Sequence, residues 1–288
     1  MSGRGGAERT LRRIWRIGRK ALPPPIVRAV TESRLPRATV PAFSTANPAR
    51  FAACELLGGR RLRRHELRGG WSFCLHHGTG DASVVAEVFR KQYYRLPAAM
   101  EAELAGLARP VRVVDLGAHV GLFGIWIAQR FPTAEIVSFE PDPENFRALE
   151  CTIAANRSRT SSWETIQACA APADGSVLFA TGMSSSSRVL EPGAPSGYVA
   201  EARDVFACLD RVDVLKIDIE GSEWAILGDA RFGGLSPAIL FLEYHRHLCP
   251  ADDPRGHATE LLRTAGYETS EVFVAPDAGL LAAVPRRQ

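Results

Sequence analysis

The chain has 288 residues, 46% hydrophobic and 23% charged, enough for a sizeable core and unlike a disordered polymer. No run approaches the roughly 18 uninterrupted apolar residues of a spanning helix, and the first twenty residues lack the apolar stretch and cleavage site of a secretory leader. The formal charge of +3 hides an asymmetry: residues 1–70 carry 16 Lys and Arg against 4 Asp and Glu, and the remainder 19 against 28.

The first element expected is a helix over residues 9–22, RTLRRIWRIGRKAL. Leu11, Ile14, Trp15 and Leu22 fall on one face, arginines surround them, and Pro23–Pro25 end it. Such a helix either docks on the body with a solvated basic face or places residues 1–22 against an anionic membrane or nucleic acid. Residues 33–50 read as a loop. A strand at Trp71–Leu75 precedes a helix over ASVVAEVFRKQYY, with Asp81 as its cap. His76 and His77, adjacent on an extended chain, point to opposite faces and do not share one ion. The six cysteines (54, 74, 151, 169, 208, 249) show neither C-x-x-C nor zinc-ligand spacing, and read as ordinary buried thiols of a reducing cytoplasm rather than a disulfide scaffold.

From Val111 short β-branched runs alternate with helical patterns: VRVVDL, AEIVSFE, WETIQACA, DVLKIDI and AILFLEY, each followed by a helix or turn. That alternation predicts an α/β fold, a mostly parallel sheet with helices on both faces, and VFVAP and LLAAV as a closing strand pair. The domain division expected is a basic extension over 1–70, a mixed lead-in packing on the core over 71–108, and a ligand-binding domain over 109–288. Ligands of such sheets lie beyond the carboxyl ends of the strands.

At the end of the first of these strands stands VVDLGAHVGLFG (113–124). The dinucleotide fingerprint G-x-G-x-x-G fails because His119 occupies its second glycine, and the phosphate loop fails because no Lys follows Gly121. What remains is D-x-G-x-x-x-G, formed by Asp115, Gly117 and Gly121. Glu140, 23 residues after Gly117, stands where a carboxylate accepts hydrogen bonds from ribose hydroxyls. A nucleoside without pyrophosphate fits this pattern, S-adenosylmethionine being the common one.

Downstream, VDVLKIDIEGSEWAIL (212–227) resembles the fourth-strand signature of FkbM-type S-adenosylmethionine-dependent methyltransferases, and AILFLEYH (238–245) their fifth strand. VVDLGAHVGLFG and SFEPDPENF (138–146) match the family's first and second motifs, and ACAAPADG resembles its turn after the third strand. The resemblance runs from about Asp81 to Val274 and implies a Rossmann-like class I methyltransferase fold. It carries over Asp115, Gly117, Gly121 and Glu140 as cofactor contacts. Pro141 and Asp142 would flank the adenosine, Ala170 would lie near the adenine, and Ala118 and His119 would lie along the same turn, His119 against the methionine part.

Methyl transfer to oxygen requires alignment of donor and acceptor and uptake of the hydroxyl proton. Asp218 closes the fourth strand and Glu243 and His245 the fifth, so these three are the catalytic candidates. Glu220 and Glu223 open the following helix, where the dipole favours acids whatever their role, and Lys216 is a partner for Asp218. Asp218, Glu243 and His245 are also candidate ligands for Mg²⁺ or Mn²⁺. The Ser-, Gly- and Pro-rich segment 181–198 reads as a mobile loop over the active site. The expected activity is O-methylation of a small-molecule hydroxyl, on a sugar, glycoside or other secondary metabolite. The alternatives are nucleic-acid methylation, which the absence of an Asx-Pro-Pro-aromatic turn after the fourth strand disfavours, and a noncatalytic binding protein that retains the fold.

Overall fold

From Val113 to Leu116, Val214 to Ile217 and Ile239 to Leu242, successive apolar side chains enter opposite layers. Val113, Val214, Ile239 and Phe241 join one core, and Val114, Leu116, Leu215, Ile217, Leu240 and Leu242 the other. This period of two places a buried sheet between two apolar layers. Each fully buried Val, Leu, Ile or Phe contributes about 1.5–3 kcal/mol relative to exposure.

The computed structural model describes residues 39–57, 59–181, 187–190 and 197–286. The helix expected over 9–22 lies outside the described residues. Helix α1 (Pro48–Leu57) leads into an antiparallel hairpin, β1 (Leu62–Glu66) and β2 (Ser72–His76). The domain division expected after residue 70 therefore falls in the turn of this hairpin. Helix α2 (Asp81–Ala86) continues into a wider π-helical turn over Glu87–Lys91, and α3 (Ala98–Ala105) precedes the sheet. Asp81 is not the cap of α2, as the sequence suggests; Gly80 holds that position. The Asp81 carboxylate instead accepts the His76 backbone N–H at 2.9 Å.

The main sheet begins with β3 (Arg112–Leu116), α4 (Leu122–Arg130), β4 (Glu135–Phe139), α5 (Pro143–Asn156) and β5 (Ser162–Ile166). A second, four-stranded sheet follows: β6 (Cys169–Ala171), β7 (Gly175–Ala180), β8 (Arg188–Val189) and β9 (Tyr198–Asp204). The chain then returns through β10 (Val214–Ile217), α6 (Glu223–Leu227), β11 (Ile239–His245), α7 (Pro254–Thr264), β12 (Tyr267–Val274) and β13 (Ala278–Pro285). Spatial order in the seven-stranded sheet is β12-β13-β11-β10-β3-β4-β5. β5, β4, β3, β10 and β11 run parallel, and β13 pairs antiparallel with both β11 and β12. The α/β class and the closing strand pair are as the sequence predicts. Strand order reverses between β3 and β10, which opens a crevice at their carboxyl ends.

Two further expectations require correction. Cys74 on β2 and Cys151 on α5 are joined by a disulfide, with Cα atoms 5.9 Å apart, while Cys54, Cys169, Cys208 and Cys249 are free. β2 lies along α5, where Asn156 Oδ1 and Thr152 Oγ1 accept the backbone N–H groups of Ser72 and Cys74, each at 3.0 Å. Segment 181–198 is not a loop throughout. Val189 and Arg188 pair with Phe179 and Ala180, and Ser187 Oγ donates to Asp142 Oδ2 at 2.8 Å.

Candidate active site

The turn after β3 owes its path to backbone that few residues tolerate. Gly117 has φ +82°, and a Cβ there would stand 1.8 Å from the Asp218 carbonyl oxygen at the end of β10. Glycine alone lets these two strand ends meet. His119, where a dinucleotide loop would carry glycine, also has a left-handed backbone, φ 53°. Its side chain does not obstruct the turn, because Nε2 reaches the buried Asp81 carboxylate at 3.1 Å. The His119 backbone N–H donates to Glu140 Oε2 at 2.7 Å.

Glu140 follows β4 and is only 4% exposed. Asp142 N–H donates to its Oε1 at 2.9 Å and the Asn145 amide approaches at 3.4 Å. Burial pushes its carboxyl up to about 7, against the opposing pull of His119 and the backbone donors. Asp142 caps α5, accepting from Glu144 N and Asn145 N.

The period-two alternation that builds the core also builds the polar end. Continuing the Val113, Val214 and Phe241 layer along each strand gives Asp115 on β3, Lys216 and then Asp218 at β10, and Glu243 and His245 on β11. Lys216 Nζ lies 3.2 Å from Asp115 Oδ1 and 3.3 Å from Asp218 Oδ2, and donates to Gly117 O at 2.8 Å. Lys216 thus ties both strand ends to the glycine turn. Neither Asp115 oxygen has a hydrogen bond of good geometry among the described residues, so its stabilisation is the close ammonium charge.

Glu223, at the start of α6, is fully buried, which a helix-start role alone does not require. Its carboxylate accepts Gly221 N–H at 2.7 Å and His245 N–H at 2.6 Å, and lies 3.2 Å from His245 Nδ1. On the other edge of the imidazole, Nε2 stands 3.5 Å from Glu220 Oε2 and 3.9 Å from Glu243 Oε1. Burial works to lower the His245 pKa, but the Glu223 bond and charge, with Glu220 and Asp218, outweigh it and hold it at about 10. Burial raises Glu243 to about 8, reinforced by Asp218, and raises Glu220 to about 7. The cluster therefore holds an imidazolium beside carboxyls that change charge near neutrality. Asp218, Glu220 and His245 each direct a ligand-type atom to positions within 4.8 Å of one another.

All this surrounds a cavity of ≈ 270 Å³. Of the sequence candidates, Gly117, Ala118, His119, Glu140, Pro141, Ala170, Asp218 and Glu243 line it. Asp115, Gly121, Asp142 and His245 do not. Asp115 lies beneath the floor on Lys216, Gly121 begins α4 against Leu149, Asp142 is occupied at its cap, and His245 stands behind Glu220 and Glu243. The wall missing from the sequence reading is α2 and its π-helical turn, which contribute Ser83, Val84, Glu87 and Val88, with Tyr93 and Tyr94 after them. The spacing 83/84 and 87/88 marks one stripe of a helix; that stripe was the available signal. Tyr198 OH donates to Pro141 O at 2.6 Å and fixes the second sheet over the β4 end of the cavity.

A family model described as Methyltransferase FkbM domain matches residues 115–269, more than half of the chain. The methyltransferase sdnD of Sordaria araneosa is 35% identical over 54 residues, 19% of this chain and 21% of that relative's length. The chain thus spans about a fifth of the curated relative it matches. Among solved structures, the methyltransferase FkbM of Methylobacillus flagellatus has a TM-score of 0.44 at 16% identity, over 87% of this chain and 58% of that one. TYW2 of M. jannaschii in complex with AdoMet has a TM-score of 0.39 at 15% identity, over 77% and 84%.

Proposed function

The chain belongs to the FkbM methyltransferase family, and from that premise we propose that it transfers the methyl group of S-adenosylmethionine to a hydroxyl oxygen of a small molecule. The residues present fit the donor. Gly117, on the cavity wall, lets the β3 turn close against the β10 strand end without a side chain, and Glu140 is a buried carboxylate held toward the cavity by backbone donors. Glu140 would accept the ribose hydroxyls, while Pro141, Cys169 and Ala170 would flank the base. S-adenosylmethionine supplies an electrophilic methyl on a sulfonium.

The observation that carries oxygen as the acceptor is the carboxyl–imidazole cluster at the ends of β10 and β11. A hydroxyl must lose its proton as the new C–O bond forms, and a group that titrates near the working pH is best suited to take it. Glu243, on the cavity wall and raised to about 8, and Glu220, raised to about 7, are such groups. Asp218 lies beside them on the cavity wall, 3.3 Å from Lys216 Nζ. His245, fixed by Glu223, offsets the acids from behind without itself touching the cavity. Hence Glu243 or Glu220 receives the hydroxyl proton, Asp218 and Lys216 orient the acceptor, and His245 with Glu223 sets the protonation of the pair.

A second reading is favoured by the convergence of Asp218, Glu220 and His245, which offers a Mg²⁺ or Mn²⁺ site with Glu220 in place of Glu243. Adding either ion to dialysed protein separates the two: proton transfer through carboxyls predicts unchanged turnover, and a tenfold rise would transfer the role to the metal. The primary test incubates the protein with methyl-labelled S-adenosylmethionine and a small-molecule extract, and locates the label by mass spectrometry. The proposal expects an O-methyl ether. Label on nitrogen or on nucleic acid, or donor bound without transfer to any acceptor, overturns it.

A further inference from the structure

Outside the cavity, and outside the residues that the family model matches, a second group of chemically active side chains converges. Cys54 comes from α1, His65 from β1, and His77 from the residue after β2. Each offers one ligand atom, and the three lie within 4.8 Å of one another. His65 Nε2 and His77 Nε2 are 2.7 Å apart, and His77 Nδ1 is 2.7 Å from Glu55 Oε2. His65, His77 and Glu55 are all buried, and the fully buried Phe51 sets its ring edge-on to both imidazoles, 4.9 and 5.1 Å between centroids.

The proton positions follow from Glu55. A carboxylate at Nδ1 keeps the proton on that nitrogen, so His77 Nε2 presents a lone pair to its neighbour. His65 Nε2 must then either donate a proton or share a cation with it. A simple imidazole pair has no need of a thiol at a third corner, nor of a carboxylate behind one ring. That carboxylate–histidine arrangement is the one that orients metal-bound imidazoles.

We propose that Cys54, His65 and His77 bind one Zn²⁺ ion, with Glu55 orienting His77 and a water at the fourth position. Thiolate and imidazole donors suit zinc. Binding releases the Cys54 thiol proton to solvent, and the thiolate and Glu55 together balance the two positive charges. Seating the ion at Zn–N distances of about 2.0–2.1 Å parts the two nitrogens by about half an ångström, within side-chain rotation. The ion would clamp α1 to the β1–β2 hairpin.

The test uses the full chain, stripped of metal and titrated with Co²⁺ and then Zn²⁺. One Co²⁺ per chain should bind with a thiolate-to-cobalt charge-transfer band, and Zn²⁺ should displace it. Cys54→Ser should lose the band while keeping the native far-ultraviolet spectrum, and Glu55→Gln should weaken zinc binding by about 10–100-fold. Asp218→Asn should retain the band and the stoichiometry, which separates this site from the acidic cluster in the cavity. Should Cys54→Ser fail to fold, persistence of the band in a chain with Cys169, Cys208 and Cys249 changed to Ser assigns it to Cys54. Absence of stoichiometric cobalt, absence of the thiolate band, or a Cys54→Ser chain that binds as the wild type does would leave a plain N–H···N bond and overturn the proposal.

Discussion

At the residue scale, Glu223 separates a helix-start acid from a working one. Its two backbone donors and the imidazole beyond them consume the carboxylate completely, and the Glu220 and Glu243 carboxyls face the other edge of the same ring. Glu223→Gln keeps an acceptor oxygen but removes the charge that holds His245 at about 10. The pH profile of kcat/KM should rise through about 7–8 as Glu220 and Glu243 lose protons, and fall only in the alkaline range as His245 does. In Glu223→Gln the alkaline limb should move down by about one unit or more, with Glu223→Asp restoring part of the shift. A profile unchanged by the substitution would reduce Glu223 to a packing residue. Asp218 and Glu243 could be picked out in the sequence because each acid stands at the end of an apolar strand, where an unpaired acid is costly, and His245 because it follows Glu243 by two residues. Glu223 could not, since the helix dipole explains an acid there equally well.

At the scale of elements, the site depends on two strand ends pressed together. Gly117→Ala places a methyl on the Asp218 carbonyl oxygen, which belongs to the backbone and cannot swing aside. The variant should lose measurable donor binding and should also lose stability, by about 1–3 kcal/mol as overpacking typically costs. Calorimetry and chemical denaturation read the two effects separately, and a variant with wild-type donor affinity would disprove the close approach. The strands and helices of the seven-stranded sheet were legible because period-two and period-3.6 patterns alternate along them. The second sheet was not, because β8 has only two residues and β7 and β9 are only partly buried and set among Ser, Gly and Pro. Nor was the Cys74–Cys151 pairing, which spans 77 residues and depends on β2 lying along α5. The stripe Ser83, Val84, Glu87 and Val88 read as a helix but not as a wall, since one chain's pattern gives a helix its buried face and not what that face covers.

At the scale of the molecule, buried ionisable groups around the cavity lean in one direction. Glu140, Glu220 and Glu243 have folded pKa values of about 7, 7 and 8 against an ordinary 4.5, and His245 about 10 against 6.5. All four bind protons more tightly when folded, so the folded chain holds more protons than the unfolded one between about pH 5 and 10. Stability of the ligand-free protein should therefore fall as pH rises through that window, and a denaturation midpoint that rises instead would contradict these assignments. In the proposed reaction the same cavity would serve two parts, with Glu140 holding the donor and Glu243 receiving the proton. Titration of S-adenosylmethionine into wild type, Glu140→Ala and Glu243→Gln by calorimetry tests that division directly. Loss of charged hydrogen bonds at Glu140 should weaken binding by about 1.5–3 kcal/mol, about 10–150-fold, while Glu243→Gln should bind the donor as the wild type does. Equal affinity in Glu140→Ala, or an equal loss in Glu243→Gln, would contradict it.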